Sequence, residues 1–263
     1  LQFVANYLQG VPGDDLIVIC THIPLPVTRA GGETHSVPQF SQLLKILSGH
    51  RHTLSLSAHT HVNHHFFAAA DEGYTTTGGT AHHHHNVGTG SGCWFRGPRD
   101  DQGFPVATMA DGTPNGHVKF TFTGNRYRQR YKAARLPADY QRAIHAPGVY
   151  DDSAQREVWV NVFNGNEKTT VRMRAADGDW VEMIRQPRID PAYLEFWKRD
   201  QGLALLTGRT MLPEPYPTYH MWRADLPSDL APGVHVLAIE ATDMFGRNER
   251  GTRLIEIRKP RRD

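Results

Sequence analysis

The stretch LSLSAHTHVNHHFF, residues 54–67, is the part of the chain around which the rest is organised. It begins as a short apolar strand and continues into a loop that carries His59 and His61. A second apolar run, Leu16–Cys20, ends in the same way, with His22 two positions after it. Because the carboxyl ends of parallel strands meet at one edge of an α/β sheet, both strands would deliver imidazoles there. Imidazole nitrogens are common metal ligands, so the pattern predicts a metal site at this edge.

The spacing of His59 and His61 is compatible with two geometries. On extended backbone both side chains point to the same face, whereas a turn would aim them apart, at neighbouring ions. A His-x-His motif alone is a weak signal here, since twelve of the sixteen histidines fall between His22 and His85. Its position directly after an apolar strand, matched by that of His22, is what favours a metal role.

Four of these histidines, His82–His85, are contiguous. On a strand alternate members face opposite sides, so at most two of them can join one site. We prefer to interpret the run as a polar strand or loop near the site rather than as a set of metal ligands.

The chain divides near residue 90. Residues 1–90 alternate helix-like and strand-like segments, which is the order of an α/β layer. The run Gly88–Gly92 has no Gly-Lys-Ser/Thr after it, so we interpret it as a flexible turn or domain junction rather than a phosphate-binding loop. Residues 91–263 read mostly as strands with the rhythm of an immunoglobulin-like β-sandwich. The predicted fold is therefore α/β followed by all-β.

The amino-acid composition limits the classes of protein to which the chain can belong. The 263 residues are 39% hydrophobic and 21% charged, as in ordinary globular proteins, and are enough for two domains. No apolar run approaches the roughly 18 residues of a membrane span. A formal net charge of +2 argues against a nucleic-acid surface. Two cysteines cannot make a disulfide framework, and Cys20, in an apolar strand, is predicted to be a small core residue.

Two motifs resemble those of the calcineurin-like metallophosphoesterases. In that family five short motifs at sheet ends surround a dinuclear metal centre. The fourth is a histidine after a strand, which matches His22, and the fifth is Gly-His-x-His, which matches residues 58–61 with Ala58 in place of glycine. The resemblance implies that His22 and His59 ligate one divalent transition metal ion (Mn, Fe or Zn) and that His61 ligates the other.

Later segments are similar to one branch of this family, in which a β-rich domain follows the phosphoesterase domain. They are Gly90–Trp94, Met109–Gly116 and Ala241–Arg247. The resemblance implies a parent enzyme that hydrolyses phosphomonoesters or phosphodiesters, with a small-molecule or lipid-derived substrate and a periplasmic or secreted location. By composition residues 111–116 form a turn; the alternative is that this turn rims the active site, with Trp94 and Phe95 as an aromatic wall.

Three further family motifs carry the bridging aspartate, the asparagine and the catalytic histidine. Neither Asp-x-His nor Gly-Asn-His occurs in the chain. The acidic residues before residue 92 are Asp14, Asp15, Glu33, Asp71 and Glu72, and none has the family's context. The chain also opens inside a helical pattern, so we expect it to be part of a longer protein, with the catalytic residues upstream of Leu1.

This expectation limits what the chain does by itself. Three neutral imidazoles cannot balance the charge of two dications, so we expect at most one metal ion and no catalysis from the chain alone. A cleaved upstream segment that stays associated would complete the site in trans. The alternative from another class is a non-catalytic β-sandwich module that recognises a glycan, an envelope component or a protein partner.

Overall fold

A computed structural model describes residues 1–28, 34–36, 39–70, 73–75, 81–151, 156–208 and 211–258. Glu33, Asp71 and Glu72 therefore lie outside the described residues. The helices are α1 (Gln2–Leu8), α2 (Phe40–Leu47) and α3 (Pro191–Thr207). The first strands are β1 (Leu16–Cys20), β2 (Pro26–Thr28), β3 (Thr34–Ser36), β4 (His52–Ser57), β5 (His64–Ala68) and β6 (His82–Asn86). They are followed by β7 (Gly116–Thr123), β8 (Arg126–Ala133), β9 (Arg142–His145), β10 (Val149–Tyr150), β11 (Glu157–Val162) and β12 (Thr170–Ala175). The last are β13 (Val181–Glu182), β14 (Ile184–Arg185), β15 (Met221–Asp225), β16 (Gly233–Thr242) and β17 (Asn248–Ile257). Within these ranges no helix is both long and apolar enough to cross a bilayer.

The N-terminal part is built on a four-stranded sheet with the order β1-β4-β6-β5. The first three of these strands are parallel and β5 is antiparallel to β6. The carboxyl ends of β1 and β4 therefore lie side by side at one edge, as the sequence predicts. Helix α2 buries Leu43, Leu44 and Leu47, which its helical spacing places on one face.

The inner strand β6 consists of four histidines and Asn86, and all five residues are buried. His82 and His84 face the hydroxyl groups of β4: His82 contacts Thr53 Oγ1 (2.8 Å) and Ser55 Oγ (2.7 Å), and His84 contacts Ser55 Oγ (2.8 Å). A third hydroxyl, that of Ser57, lies 3.1 Å from His84 Nε2. The hydroxyl groups of β4 thus provide hydrogen-bond partners for the buried histidines of the neighbouring strand β6.

The odd-numbered histidines of β6 point to the other side of the sheet. His83 Nε2 lies 2.9 Å from His65 Nδ1, and its Nδ1 contacts the hydroxyl of Tyr127. His85 Nδ1 donates to Gln129 Oε1 (2.9 Å), and the His85 ring stacks on that of His65. The alternation predicted for residues 82–85 is confirmed. On one face of the sheet His82 and His84 contact side chains of the neighbouring strand β4, and on the other face His83 and His85 contact the β7–β8 hairpin.

The rest of the chain is mostly β-strand. Beside the β7–β8 hairpin it has a five-stranded sheet, β10-β17-β16-β12-β13, and a four-stranded sheet, β14-β15-β11-β9. Both sheets contribute to one hydrophobic core, with Val160 and Trp222 from the smaller sheet and Met173, Leu237 and Ile239 from the larger. A β-rich C-terminal part is therefore observed, and its assignment as immunoglobulin-like stays a prediction.

Three local sequence signals predict a structure that is not observed: Asn164-Gly165-Asn166 predicts a hairpin, the alternation over residues 222–243 predicts one long strand, and the apolar run around Cys20 predicts a core residue. Residues 164–166 do not form a hairpin, because β11 and β12 belong to different sheets and the segment crosses between them. Gly165 permits this crossing, since a Cβ there would lie 2.5 Å from Trp222. Residues 222–243 form two strands of different sheets rather than one long strand. Cys20 is exposed rather than in the core, because β1 is an outer strand of its sheet.

Candidate metal site

His22 and His59 meet at the carboxyl edge of the N-terminal sheet. His59 Nδ1 lies 3.0 Å from His22 Nε2, and the two rings meet edge to face with centroids 4.8 Å apart. Both side chains are exposed. The backbone brings the loops together, since Thr21 N donates to Leu56 O (2.9 Å) and Ala58 N donates to His22 O (3.2 Å). The structure thus joins two of the three predicted ligands.

His61 points away from this pair. Its Nδ1 lies 2.5 Å from the carbonyl oxygen of Gly92, and its ring stacks on Trp94 with centroids 4.0 Å apart. Because a carbonyl oxygen can only accept, Nδ1 carries the hydrogen and Nε2 of the neutral ring keeps its lone pair. A backbone carbonyl that fixes the tautomer in this way is a common partner of a metal-binding histidine. Of the two geometries open to the motif, the turn is the one observed.

The backbone around these histidines is strained. The non-glycine residues with left-handed φ in this region are His59 (64°), His61 (55°), Trp94 (53°), Phe95 (56°) and Ala107 (51°). Only two other non-glycine residues of the described chain, Arg135 and Ala176, have positive φ. A bulky residue with positive φ is a true outlier, and such residues concentrate at functional sites. The strain marks this loop cluster as a candidate site independently of its histidines.

The residues present fit part of a metal centre. Two nitrogens bound to one tetrahedral ion lie roughly 3.3 Å apart, if each is about 2.0–2.1 Å from the metal. The 3.0 Å between His22 and His59 is close to that separation. A dinuclear centre also needs a bridging carboxylate. Within the described ranges no group of three or more His, Cys, Asp or Glu is arranged to hold a metal. The spacing of His22 and His59 therefore fits one ion, and the described residues do not by themselves complete a dinuclear centre.

Asn63 holds the end of the histidine loop against the rest of the chain. Its backbone N–H donates to Asp111 Oδ2 (2.7 Å), and its side-chain amide donates to Phe163 O (3.0 Å). Its Oδ1 accepts from Gly88 N (2.7 Å). Asp111, predicted only as part of a turn, is 1% exposed and thus buried behind the loop rather than at its rim. Nothing in the local sequence distinguishes this carboxylate from those of surface turns, so sequence analysis missed its role.

Comparison with known proteins gives the family. Residues 84–248 match the family model described as the C terminal of calcineurin-like phosphoesterase, which is more than half of the chain. The chain belongs to this family. The predicted resemblance is confirmed at this level, and a hydrolase parent follows from it.

Other comparisons add little. No curated protein matches the chain. Among solved structures, the crystal structure of CopC from Methylosinus trichosporium OB3b is 13% identical, over 45% of this chain and 89% of that one, with a TM-score of 0.25. A likeness of this size supports no argument about fold or function.

The match to the calcineurin-like phosphoesterase family begins inside β6 and does not include His22, His59 or His61. The assignment of these residues as ligands therefore stays a prediction from the motif and the geometry. Ala58, where the family motif has glycine, is not among the residues with positive φ. The extra methyl group thus meets no left-handed strain at this position.

Gly92 supports the loop that orients His61. It has φ of +52°, and a Cβ there would lie 1.6 Å from Ala107 O. Gly92→Ala should therefore force the backbone to move and lower the free energy of unfolding by at least about 2 kcal/mol, as steric strain of this kind does. Thermal and urea unfolding measure the change.

Gly124→Ala is the matched control for Gly92→Ala. Gly124 has φ of +56° but nothing within 4 Å of its would-be Cβ. That substitution should cost only the roughly 1–2 kcal/mol of a left-handed L-residue. Equal losses for the two variants would show that the contact between residues 92 and 107 is not the cause.

Proposed function

We propose that His22, His59 and His61 are the imidazole part of the metal centre of a phosphoric ester hydrolase. The observation that carries the proposal is the 3.0 Å approach of His59 Nδ1 to His22 Nε2 at the edge where two parallel strands end. In the proposal this pair holds one divalent ion. Imidazole ligands suit Zn and Fe, and Mn is the third candidate. A bound ion in such a centre polarises phosphoryl oxygens and makes its bound water more acidic.

His61 has a different part in the proposal. The Gly92 carbonyl holds its ring so that Nε2 is available to a second ion, apart from the first pair. The carboxylate and the other ligands come from residues outside the described ones. We therefore assign phosphomonoester or phosphodiester hydrolysis to a parent protein with the full ligand set, and we expect none from this chain alone.

The aromatic wall predicted from the sequence stands beside His61. Trp94 stacks on the imidazole, and Trp94 and Phe95 are 50% and 52% exposed. Exposed aromatic rings next to a polar centre are typical of ligand sites, where they contact the apolar part of the ligand. In the proposal they face the organic group of the phosphate ester, of small-molecule or lipid origin.

Metal content after dialysis against Zn²⁺ tests the proposed ligands. The chain should retain about one ion per molecule, and His59→Ala should retain at least tenfold less, because one remaining imidazole binds weakly. His117→Ala, which removes an exposed histidine of β7, should bind as the parent chain does. Zn²⁺ retained equally by all three proteins, or by none, would contradict the assignment.

Two finer predictions remain proposals. The common core of the two C-terminal sheets supports an immunoglobulin-like sandwich over residues 91–263, after an α/β part in residues 1–90. A periplasmic or secreted location rests on the family resemblance alone.

A further inference from the structure

A cavity lies at the opposite edge of the N-terminal sheet from the candidate metal site. It has a volume of about 780 Å³ and is lined at this edge by Leu16, His52 and Ala81, which stand at the starts of β1, β4 and β6. The six residues of β4 separate the two edges by roughly 20 Å. The cavity is therefore distinct from the proposed phosphoesterase centre.

The lining of this cavity carries charges of one sign. Four cationic side chains contribute to it: Arg51, Arg126, Arg128 and Lys168. Among the described residues that line it there is no aspartate or glutamate. Arg51 pairs with Asp14 at 3.2 Å on the surface, and no carboxylate of the described chain forms an ion pair with Arg126 or Arg128. The net charge of the whole chain is only +2, so this is a local excess of positive charge.

A smaller hollow extends the cationic surface. It has a volume of about 500 Å³ and shares Thr121, Arg128 and Phe245 with the first cavity. It adds Lys119, Arg247 and Arg130, of which Arg130 pairs with Glu249 at 3.2 Å. Its one carboxylate, Asp243, already accepts the backbone N–H groups of Phe245 (2.8 Å) and Arg247 (2.9 Å). A ligand with two separate anionic groups would therefore meet different cations in the two hollows.

Aromatic rings form the other part of the lining. Phe67, Tyr127 and Phe245 all line the cavity, and Tyr127 meets Phe245 edge to face at 5.8 Å. The Lys168 ammonium lies 3.8 Å from the centroid of Phe67. Burial keeps the pKa of His83, on the cavity floor, well below its usual value, so this ring is neutral at pH 7. The cavity thus combines exposed cations with half-buried, uncharged rings.

Cations on an exposed hairpin also have a plain structural use, because they prevent edge-to-edge pairing of strands. That use explains charges along β7 and β8. It does not explain why Lys168, from the β11–β12 connection, and Arg51, before β4, converge on the same cavity. The described residues of the cavity lining include no carboxylate beside Arg126, Arg128 and Lys168. Like charges brought together in this way repel each other, and a bound anion relieves that repulsion.

We propose that this cavity binds a small organic anion with at least two negative charges, such as a phosphorylated compound, and with a planar apolar body. Arg126, Arg128 and Lys168 contact the anionic groups, and the rings of Phe67, Tyr127 and Phe245 contact the body. The volume lies within the range of small-molecule sites, on the order of 300–1,000 Å³. The site does not depend on the metal centre.

Calorimetric titration with three probes tests the proposal, with a chelator present so that no metal ion recruits phosphate. ADP combines two phosphates with a planar ring, pyrophosphate has the charges alone, and adenosine has the ring alone. We expect ADP to bind at least tenfold more tightly than pyrophosphate, adenosine not to bind measurably, and ADP affinity to fall as salt rises. No binding of ADP, or equal binding of pyrophosphate, would overturn the proposal.

Variants locate the binding on the cavity. The double variant Arg126→Gln/Arg128→Gln and the single variant Lys168→Gln change exposed side chains, and each should weaken ADP binding, the double variant at least tenfold. Lys45→Gln/Lys198→Gln removes the same two charges from exposed sites on α2 and α3 and should leave it unchanged, as should His59→Ala. A parallel loss in the Lys45/Lys198 control would show that net charge rather than the cavity attracts ADP, and this would contradict the proposal.

Discussion

The protein should lose stability steeply as the pH falls from about 6.5 to about 4. Burial lowers the pKa of His64 and His82 to about 4 and that of His65 and His84 to about 3. The pKa values of His83 and His85 are also well below the ordinary value, and burial is again the main cause. The hydrogen-bond partners of His82–His85 and His65 are hydroxyl, amide and imidazole groups, so no carboxylate compensates a charge there.

The direction of the effect follows from proton uptake. Between the folded pKa of about 3–4 and the unfolded pKa of 6.5, the unfolded chain binds protons that the folded chain excludes. The free energy of unfolding therefore falls with decreasing pH throughout this window and is at its full value above pH 6.5. One pKa unit corresponds to about 1.36 kcal/mol. A histidine such as His82 thus removes about 3 kcal/mol, and two or three of them remove most of the roughly 5–15 kcal/mol of a typical domain.

Urea unfolding at intervals between pH 8 and pH 5 measures this effect before most carboxylates titrate. His82→Gln removes one buried imidazole, so it should reduce the pH slope by about one proton while lowering stability at pH 8 through the loss of contacts with Thr53 and Ser55. His117→Gln, on the exposed side of β7, should leave the slope unchanged. A stability that is constant from pH 8 to pH 5 would show that the buried histidines are not the titrating groups.

The sequence predicts the elements of the N-terminal sheet well because their signals are local. Leu16–Cys20 is found as predicted, and α2 spans Phe40–Leu47, where apolar residues at helical spacing predict a helix over residues 39–48. The common edge of His22 and His59 follows from parallel pairing, which the β-α-β order already indicates. The alternation of residues 82–85 is equally local.

Burial of those histidines could not be predicted, because it depends on elements far away in sequence. The hydroxyls of Thr53 and Ser55 come from β4, and the hydroxyl of Tyr127 comes from the β7–β8 hairpin. The sequence does show a hydroxyl group at every second position of β4, and this pattern indicates hydrogen-bond partners for a neighbouring strand of histidines. The alternation of cationic residues in Arg126–Lys132 indicates a cationic surface, because it places Arg126, Arg128 and Arg130 on one face of β8.

Asp111→Ala should destabilise the protein by about 3–5 kcal/mol and loosen the loop that carries His61. Asp111 Oδ2 accepts from Asn63 N (2.7 Å) and contacts His220 Nε2 (3.1 Å), and its Oδ1 accepts from Thr113 N (2.9 Å). Asp111 and His220 are 1% and 3% exposed. Removal of the carboxylate leaves buried donors without an acceptor, and each costs about 1–3 kcal/mol.

The contact between His220 and Asp111 adds to this loss. Asn161 donates its amide hydrogens to Asp190 Oδ2 (2.8 Å) and to Asp111 O (2.9 Å), so its Oδ1 must accept from His220 Nδ1 (2.7 Å). A proton therefore lies between His220 Nε2 and Asp111 Oδ2. Breaking such a buried polar pair on one side is strongly destabilising. In a chain of this size the expected decrease in Tm is on the order of 10 °C.

Asp243→Ala is the matched control, because Asp243 also accepts two backbone N–H groups, from Phe245 and Arg247, but in a half-buried turn. Water can replace that carboxylate, so the loss there should be only about 1 kcal/mol. A double-mutant cycle of Asp111→Ala with His220→Ala should give a coupling of more than about 1 kcal/mol, since the two side chains share one proton. Additive effects, or an Asp111→Ala variant no less stable than Asp243→Ala, would mean that this buried network does not hold the histidine loop to the β-rich part of the chain.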